Sequence, residues 1–519
     1  MEVARQLLTE CLQRGITNFV LCPGARNAPL VLMLERTEGL ELYYHPDERG
    51  AAFFALGRTM SFGEPCAVIT TSGTAVAECL PAVIEAHYQA RPLVIISADR
   101  PEKFRTSGAP QAIDQIDLFN DYAAHGRDYE GGELQQWSGT TPLHLNLPLE
   151  EEFAAQDIHE LNLEDIGEFT PTKNPFDGSL IVDFLSERIF EGIIIMIGGL
   201  RPSEREEVFH FVEQLKPPVV ADPHSGLREA LQDQILINPE KSLKDNPPAK
   251  VLRLGEVPHG RYWRDLEQLK DIEVLSITNS GYSGLARPSS VIEGDVARIL
   301  RGIGAQQEIG DTLDNLSDKL SLRSKTDELL EAYPTSEPSL VRTLSLYAST
   351  GESVYLGNSL PIREWSSFAQ REIPTAEIWA NRGANGIDGQ IATWLGTSLE
   401  VEEAWAILGD LTALYDLNAL IMSSQIELTG RRLVIINNGG GKIFTHLPRL
   451  RSISGQEAKH FTQAHQITFD HYAKMWGWDY LAVRDPEDLD EQEGNANPMI
   501  IEVFPDPEET AEFWKRYRA

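Results

Sequence analysis

Short apolar runs, each closed by a glycine-bearing turn and followed by a helical pattern, constrain the fold of this chain more than any other feature. Asn18 to Cys22 reads as a strand, Pro23-Gly24 as its turn and Leu30 to Leu34 as part of a helix. Leu40 to Tyr44 reads as the next strand. Cys66 to Thr70 follows, then Thr71-Ser72-Gly73-Thr74, a helix to Tyr88 and a strand from Pro92 to Ser97. Strand, turn, helix and strand in succession build βαβ units and therefore parallel sheet.

The pattern divides the 519 residues into three blocks, in keeping with ~100–200 residues per domain. The first spans residues 1–165. Residues 166 to about 180 read as a linker. The second block, 180–332, has strands at Gly192 to Gly198, Pro218 to Ala221, Lys250 to Leu254 and Glu273 to Ile277, and a polar helical end from Asp311 to about Tyr333. Tyr333 to Pro338 reads as a second linker. In the third block, 339–519, Ala404 to Leu408, Gly409, a helix to about Ser424 and Arg432 to Ile436 repeat the order of Cys66 to Ser97. The expected fold class is α/β: three doubly wound domains with mostly parallel sheets, the first and third related. Ligands of such sheets sit beyond the carboxyl ends of strands. The loops after Cys22, Thr70, Leu408 and Ile436 are where chemistry belongs.

Charge narrows the function. Lys and Arg total 45 against 79 Asp and Glu, a net charge of −34. That field repels nucleic acid and anionic membrane surfaces, so neither is expected as a partner. No apolar run approaches the ~18 residues that cross a bilayer. Met1 to Arg14 reads as an amphipathic helix, with Val3, Leu7, Leu8, Cys11 and Leu12 on one face, rather than as a signal peptide. Cys11, Cys22, Cys66 and Cys79 form no CxxC pair, which fits a reducing cytoplasm better than a disulfide framework or a zinc site.

Two constellations carry chemistry. Gly409-Asp410 ends one strand, and 27 residues separate Asp410 from Asn438 in Asn437-Asn438-Gly439-Gly440-Gly441 at the end of the next. A carboxylate, an amide oxygen and the carbonyl of Gly440 at adjacent strand ends can hold Mg²⁺, whose remaining positions go to phosphate oxygens and water. Mn²⁺ suits the same oxygen ligands. A helix starting at Asp410 would add a favourable dipole, and Thr412 a hydroxyl donor. Taken singly, Gly-Asp at a strand end is a helix cap and a glycine cluster is a loop; only the joint pattern points to a diphosphate–metal site. The second constellation is Glu48 in His45-Pro46-Asp47-Glu48-Arg49-Gly50. It follows a strand and opens an apolar helix, where burial favours the proton-carrying carboxyl. Alone it would read as a solvated helix start.

Together these motifs resemble the thiamine-diphosphate enzymes. The strings Pro23 to Leu30, Asp47 to Gly50, Thr71 to Ala75, Ala98 to Pro101, Gln111 to Ile113, Gly357 to Leu360, Asn381 to Ala384, Gly409 to Leu420 and Asn437 to Phe444 resemble the menaquinone-pathway SEPHCHC synthase family. The likeness covers the first and third blocks almost end to end and is weak in the middle. It implies the thiamine-diphosphate-binding fold, thiamine diphosphate with Mg²⁺ as cofactors, and 2-oxoglutarate and isochorismate as substrates. On that likeness Glu48 activates the aminopyrimidine ring, and Ile387 is the apolar wedge that bends the cofactor. Gly409, Asp410, Leu411, Thr412 and Asn438 bind the diphosphate end, with Asp410, Asn438 and Gly440 on the metal. Leu411 stands where the wider superfamily has glycine. Arg26, Arg100 and Gln111 hold isochorismate. Ser359 and Arg363, with Arg382 nearby, hold the distal carboxylate of the 2-oxo acid, and Ile443 and Phe444 line its apolar part.

Both substrates are dianions, so a chain this acidic needs a local basic pocket, and arginine forks suit carboxylates. Ala25 and Pro110 depart from the family's usual Ser and Asn, and Arg261-Tyr262 stands where a basic pair is expected. Another 2-oxo acid decarboxylase or an acetohydroxyacid-synthase-like enzyme would share Glu48, Asp410 and Asn438 without needing the arginines. A non-catalytic regulatory protein on the same fold would need none of these residues. The resemblance also implies a homodimer at least, with a homotetramer compatible, because in this superfamily the glutamate of one subunit serves the diphosphate domain of another.

Overall fold

The computed structural model describes residues 1–519 apart from 151, 165, 174, 187–191, 237–238, 304–315, 448, 451 and 519. Two compact units result. One comprises Met1–Lys173, Gly383–Glu400 and Asp416–Glu427; the other comprises Asn174–Arg382, Val401–Tyr415 and Leu428–Ala519.

The first unit holds a sheet of β1 (Asn18–Leu21), β2 (Glu41–Tyr44), β3 (Cys66–Thr70), β4 (Leu93–Asp99), β5 (Ala124–Asp128) and β6 (Leu143–Pro148), in the order β2-β1-β3-β4-β6-β5. Every pairing is parallel. β3 and β4 are buried along their whole length, as strands covered on both faces must be. The helix Glu2–Gln13 buries Leu7, Leu8, Cys11 and Leu12 as its spacing predicts, but Val3 lies outside the stripe and is exposed.

The second unit holds two sheets. β7 (Ile193–Ile197), β8 (Val219–Ala221), β9 (Lys250–Leu254), β10 (Glu273–Thr278) and β11 (Ser290–Glu293) run β11-β10-β9-β7-β8. β12 (Ser353–Leu356), β13 (Glu377–Trp379), β14 (Ala404–Gly409), β15 (Arg431–Ile436), β16 (Asp479–Val483) and β17 (Met499–Val503) run β13-β12-β14-β15-β17-β16. Counted from its own first strand, this last sheet repeats the order of the first, so the echo read in the sequence is topological. All of these pairings are parallel too.

Three expectations need correction. The helix expected from Gly409 to about Ser424 is a short helix, Asp410–Tyr415, and a separate 3₁₀ segment, Ala419–Ser424. Asp416 breaks it: its carboxylate is buried and turned to accept the Ala392 N–H at 2.9 Å. The helix expected from Thr74 to Tyr88 divides at Cys79, where Pro81 opens the second piece without an N–H to donate. The first linker is not free either. Gly167 N–H donates to Leu12 O at 3.0 Å, and Phe169 lies against Trp137 and under the Arg14 guanidinium. Part of the polar stretch from Asp311 lies outside the described residues; Leu316–Ala332 is helix.

Within the first unit, the helix Glu48–Phe62 crosses the helix Gln390–Thr397 at backbone distance. A Cβ on Gly57 would sit 2.2 Å from Thr393 O, and one on Gly396 2.2 Å from Phe54 O. Neither neighbour can move aside, because both are helix backbone. Replacing Gly396 by Ala is expected to cost ~1–3 kcal/mol of unfolding free energy through overpacking. Urea unfolding checks this, and an unchanged midpoint would show that the crossing is slack.

Candidate active site

Glu48 is the first residue of the helix that makes this crossing. Asp47 caps the helix, accepting the Arg49 N–H at 3.0 Å and the Gly50 N–H at 3.5 Å. The second oxygen of Asp47 accepts from the Asn418 amide. Gln425 bridges the strand before it, donating to Tyr44 O and accepting from Tyr44 N–H, each at 2.7 Å. Arg49 reaches the buried Asp416 at 3.5 Å. Burial raises the Asp416 carboxyl to about 6, against the pull of the Ala392 N–H and Arg49. The loop that carries Glu48 is therefore held from several sides. Burial pushes the Glu48 carboxyl up as well, with Asp47 and Glu78 adding repulsion. Such a group holds its proton more readily than an exposed carboxylate, which is what a general acid at this position requires.

His45 supports the turn rather than the chemistry. Its ring is buried, accepts the Asp47 N–H at 3.0 Å and lies where a Cβ on Gly50 would be 2.6 Å away. Ile387 belongs to the same unit. It sits two residues before Gly389, whose Cβ would strike the Phe53 ring at 1.9 Å. Glu85, buried, accepts the Gly383 and Ala384 N–H groups at 2.6 and 2.7 Å and so pins the start of this segment.

Arg26, Arg100 and Gln111 are linked through the backbone. Arg26 donates to Leu149 O at 2.9 Å, and Leu149 N–H donates to Asp99 O at 3.0 Å. Arg100 donates to Pro110 O at 3.0 Å and lies over Phe104. Gln111, with φ +53°, abuts Gly73, whose Cβ would be 3.2 Å from the Gln111 Cα. Beneath these loops lies a polar network that the sequence did not reveal. Asp99 accepts from Arg105 and Asn146; Gln115 and Ser97 donate to Asn146 Oδ1 at 2.8 Å; Gln115 accepts the Gly73 N–H at 3.0 Å. Each loop is thereby tied to the strands below it.

In the second unit, Asp410 stands at the end of β14. Its Oδ1 accepts the Leu411 N–H at 2.6 Å and its Oδ2 the Gly440 N–H at 2.8 Å. His465 Nε2 lies 3.3 Å from the same Oδ2. Gly440 has φ +127°, and a Cβ there would lie 2.4 Å from Thr462 O, so only glycine fits. The Asn438 amide nitrogen donates to both oxygens of Glu337 at 3.0 Å, while its Oδ1 is buried with no hydrogen-bond donor among the described residues. Thr412 is buried. The helix Asp410–Tyr415 is short, so its dipole adds little at this strand end. Phe444 packs over Gly441, which is also 3.4 Å from Leu411 by the same measure, and Ile443 precedes it on a short helix.

Ser359, Arg363 and Arg382 are also in this unit. Ser359 holds φ +74° before the helix Leu360–Phe368, a strained conformation for a residue with a side chain. Arg363 donates to Ser359 O, and Arg382, buried, donates to Asn358 Oδ1 at 2.7 Å. Burial lowers the Arg363 guanidinium to about 10, and the charge of Arg382 adds to that. The carboxylates of Asp222 and Glu240 partly offset that repulsion. By contrast, Tyr262 is a core residue packed with Trp263, and Arg261 is exposed beside Asp265. The acidic tract Asp485 to Glu493 forms a capped 3₁₀ turn that buries Leu489.

Sequence reasoning missed Glu337, which fell in the expected linker. It opens the helix Glu337–Ala348, is 2% exposed and sits against Glu364, which is 1% exposed. Burial pushes both the Glu337 and the Glu364 carboxyl up. No sequence signal separates such a glutamate from an ordinary helix start.

The comparisons agree with this geometry. Residues 1–118 match the model of the thiamine pyrophosphate enzyme N-terminal TPP-binding domain. A solved structure from Mycobacterium smegmatis, assigned as a thiamin diphosphate-dependent enzyme, shares the fold with a TM-score of 0.70 at 16% identity, over 97% of this chain and 99% of that one. Fold and site thus define a thiamine-diphosphate enzyme. Among curated relatives, 2-succinyl-5-enolpyruvyl-6-hydroxy-3-cyclohexene-1-carboxylate synthase of Akkermansia muciniphila is 45% identical over 98% of this chain and 96% of its own. The protein of the same name from Bdellovibrio bacteriovorus is 38% identical over 100% and 98%. The one from Geobacillus thermodenitrificans is 31% identical over 90% and 86%. The chain belongs to this synthase family.

His45 generates a pH prediction. Burial lowers its imidazole to about 4 from 6.5. A depressed folded-state value means that stability is intact above pH 6.5 and falls as the pH drops from there toward 4. The contribution is roughly 3 kcal/mol at most, at about 1.4 kcal/mol per unit. In urea unfolding between pH 7.5 and 4, His45→Gln is expected to flatten the slope. An unaltered slope would show that His45 protonates freely in the folded chain.

Proposed function

We propose that this chain decarboxylates 2-oxoglutarate and adds the remaining four-carbon succinyl unit to the ring alkene of isochorismate in a 1,4-addition. The products are 2-succinyl-5-enolpyruvyl-6-hydroxy-3-cyclohexene-1-carboxylate and CO₂. The observation that carries the reading is the half-buried, proton-favouring Glu48 in a chain that also holds the buried Arg382 and, near it, the partly buried Arg363. A decarboxylase of a monocarboxylic oxo acid has no use for that pair, and a non-catalytic protein has no use for Glu48.

The residues fit the cofactor. Asn438 Oδ1 is a buried acceptor without a donor, and Gly440 leaves a cradle that a Cβ would fill. Asp410, Asn438 and the Gly440 carbonyl would hold Mg²⁺, or Mn²⁺ in its place, while Gly409, Leu411 and Thr412 would face the diphosphate. When bound, thiamine diphosphate supplies the carbon nucleophile and the electron sink for loss of CO₂. Glu48 holds a proton at the aminopyrimidine nitrogen, and Ile387 supports the bent cofactor. Ser359, Arg363 and Arg382 orient the distal carboxylate of the oxo acid, with Ile443 and Phe444 excluding water. Arg26, Arg100 and Gln111 position isochorismate. The domains are 1–165 for the pyrimidine, 180–332 centrally and 339–519 for diphosphate and metal. The working form is a homodimer or homotetramer in the cytoplasm, since the family's glutamate serves a neighbouring subunit.

The test incubates protein, thiamine diphosphate, Mg²⁺ and 2-oxoglutarate with and without isochorismate. Isochorismate loss is expected to require 2-oxoglutarate and to fall at least about a hundredfold in Glu48→Gln, the scale of a lost general acid. Isochorismate loss that ignores 2-oxoglutarate, or a fully active variant, would refute the reading.

A further inference from the structure

A primary amide can face a cation productively in one of its two orientations only. The oxygen must point to the metal and the NH₂ away, and at Asn438 nothing in the side chain itself selects between them. The surroundings do. The nitrogen is 3.0 Å from each oxygen of Glu337, an acceptor-only partner when ionised, and Oδ1 is left buried without a donor. Reversing the amide would set its oxygen against two carboxylate oxygens, a repulsive contact in a buried place.

Glu337 is itself fixed. It is the first residue of its helix, its N–H donates to Thr510 Oγ1 at 3.0 Å, and Glu364 closes the side behind it. Neither Glu364 oxygen has a hydrogen-bond donor among the described residues. Placing two buried carboxyls together is costly for folding, and no arginine or lysine pairs with Glu337 among the described ion pairs. An arrangement with that cost and no structural return calls for a role at the site it touches.

We propose that Glu337 is a positioning residue for the cation site: it locks the Asn438 amide with its oxygen presented to the metal and does not itself touch metal or substrate. The proposal rests on the reading of Asp410, Asn438 and Gly440 as that site. It is an outer-shell role, of the kind whose loss costs ~10–100-fold in metal affinity.

The test counts free Mn²⁺ by electron paramagnetic resonance as it is titrated into protein saturated with thiamine diphosphate, with no substrate present. Glu337→Gln offers Asn438 an NH₂ as readily as an oxygen, so the lock is lost. Mn²⁺ binding is expected to weaken ~10–100-fold while the melting temperature of the metal-free protein does not fall. Glu364→Gln keeps Glu337 as acceptor and is expected to leave binding within about twofold, well short of that outer-shell loss. Should Glu337→Gln fail to fold, Asn438→Asp replaces it. That variant sets a third carboxylate against the pair and weakens Mn²⁺ binding. Adding Glu337→Gln to it restores a donor and is expected to recover most of the loss, a coupling that a purely structural role would not produce. Unchanged Mn²⁺ affinity in folded Glu337→Gln, or a double variant no better than Asn438→Asp, overturns the proposal. If Asp410→Ala also leaves Mn²⁺ binding unchanged, the cation site itself has been misread, and that failure is distinct from the first.

Discussion

The crossing of two helices at Gly57 and Gly396 sets how closely the cofactor-facing parts of the first unit can approach one another. Backbone almost touches backbone where the helix that begins at Glu48 meets the helix that follows Ile387. The Glu48 turn is capped by Asp47, steadied by Asn418 and Gln425, and backed by a neutral, buried His45. The proton transfer proposed for this carboxyl needs a fixed position more than it needs an unusual environment, and most of the local hydrogen bonding serves position.

The electrostatic problem is solved locally as well. A chain of net charge −34 repels dianions at long range, but a Debye length of ~8 Å confines that repulsion near the surface at physiological salt. Inside the second unit, Arg363 and Arg382 are drawn from water and set against each other, and Ser359 is held in a strained backbone conformation beside them. In the same sheet, Asp410 at the end of β14 and Asn438 after β15 are the groups proposed to hold the cation.

How much of this could be read from the sequence depended on burial. Strands such as Cys66–Thr70 and Ile193–Ile197 are covered on both faces and announce themselves as apolar runs. Leu143–Pro148 and Met499–Val503 are just as central, yet the first carries His144 and Asn146 and the second Glu502. All three are buried and hydrogen-bonded to partners far along the chain. The motif residues were legible because strand-end loops keep their chemistry in short strings. Glu337 was not, because its meaning lies in Asn438, a hundred residues away in sequence, and in Glu364 behind it. The helix after Asp410 was overread because periodicity continued through Tyr415, while Asp416 was committed to a backbone N–H elsewhere.

The account stands or falls on the second carboxylate of the oxo acid, which Arg363 and Arg382 are proposed to hold. The most direct measurement compares CO₂ release from 2-oxoglutarate with that from pyruvate, as kcat/KM, in the native chain and in Arg363→Met. A pocket made for a charged group rejects an analogue lacking it strongly, so the account predicts a preference for 2-oxoglutarate of at least about a thousandfold, largely abolished in the variant. Equal use of pyruvate by the native chain, or a preference untouched by Arg363→Met, would contradict it.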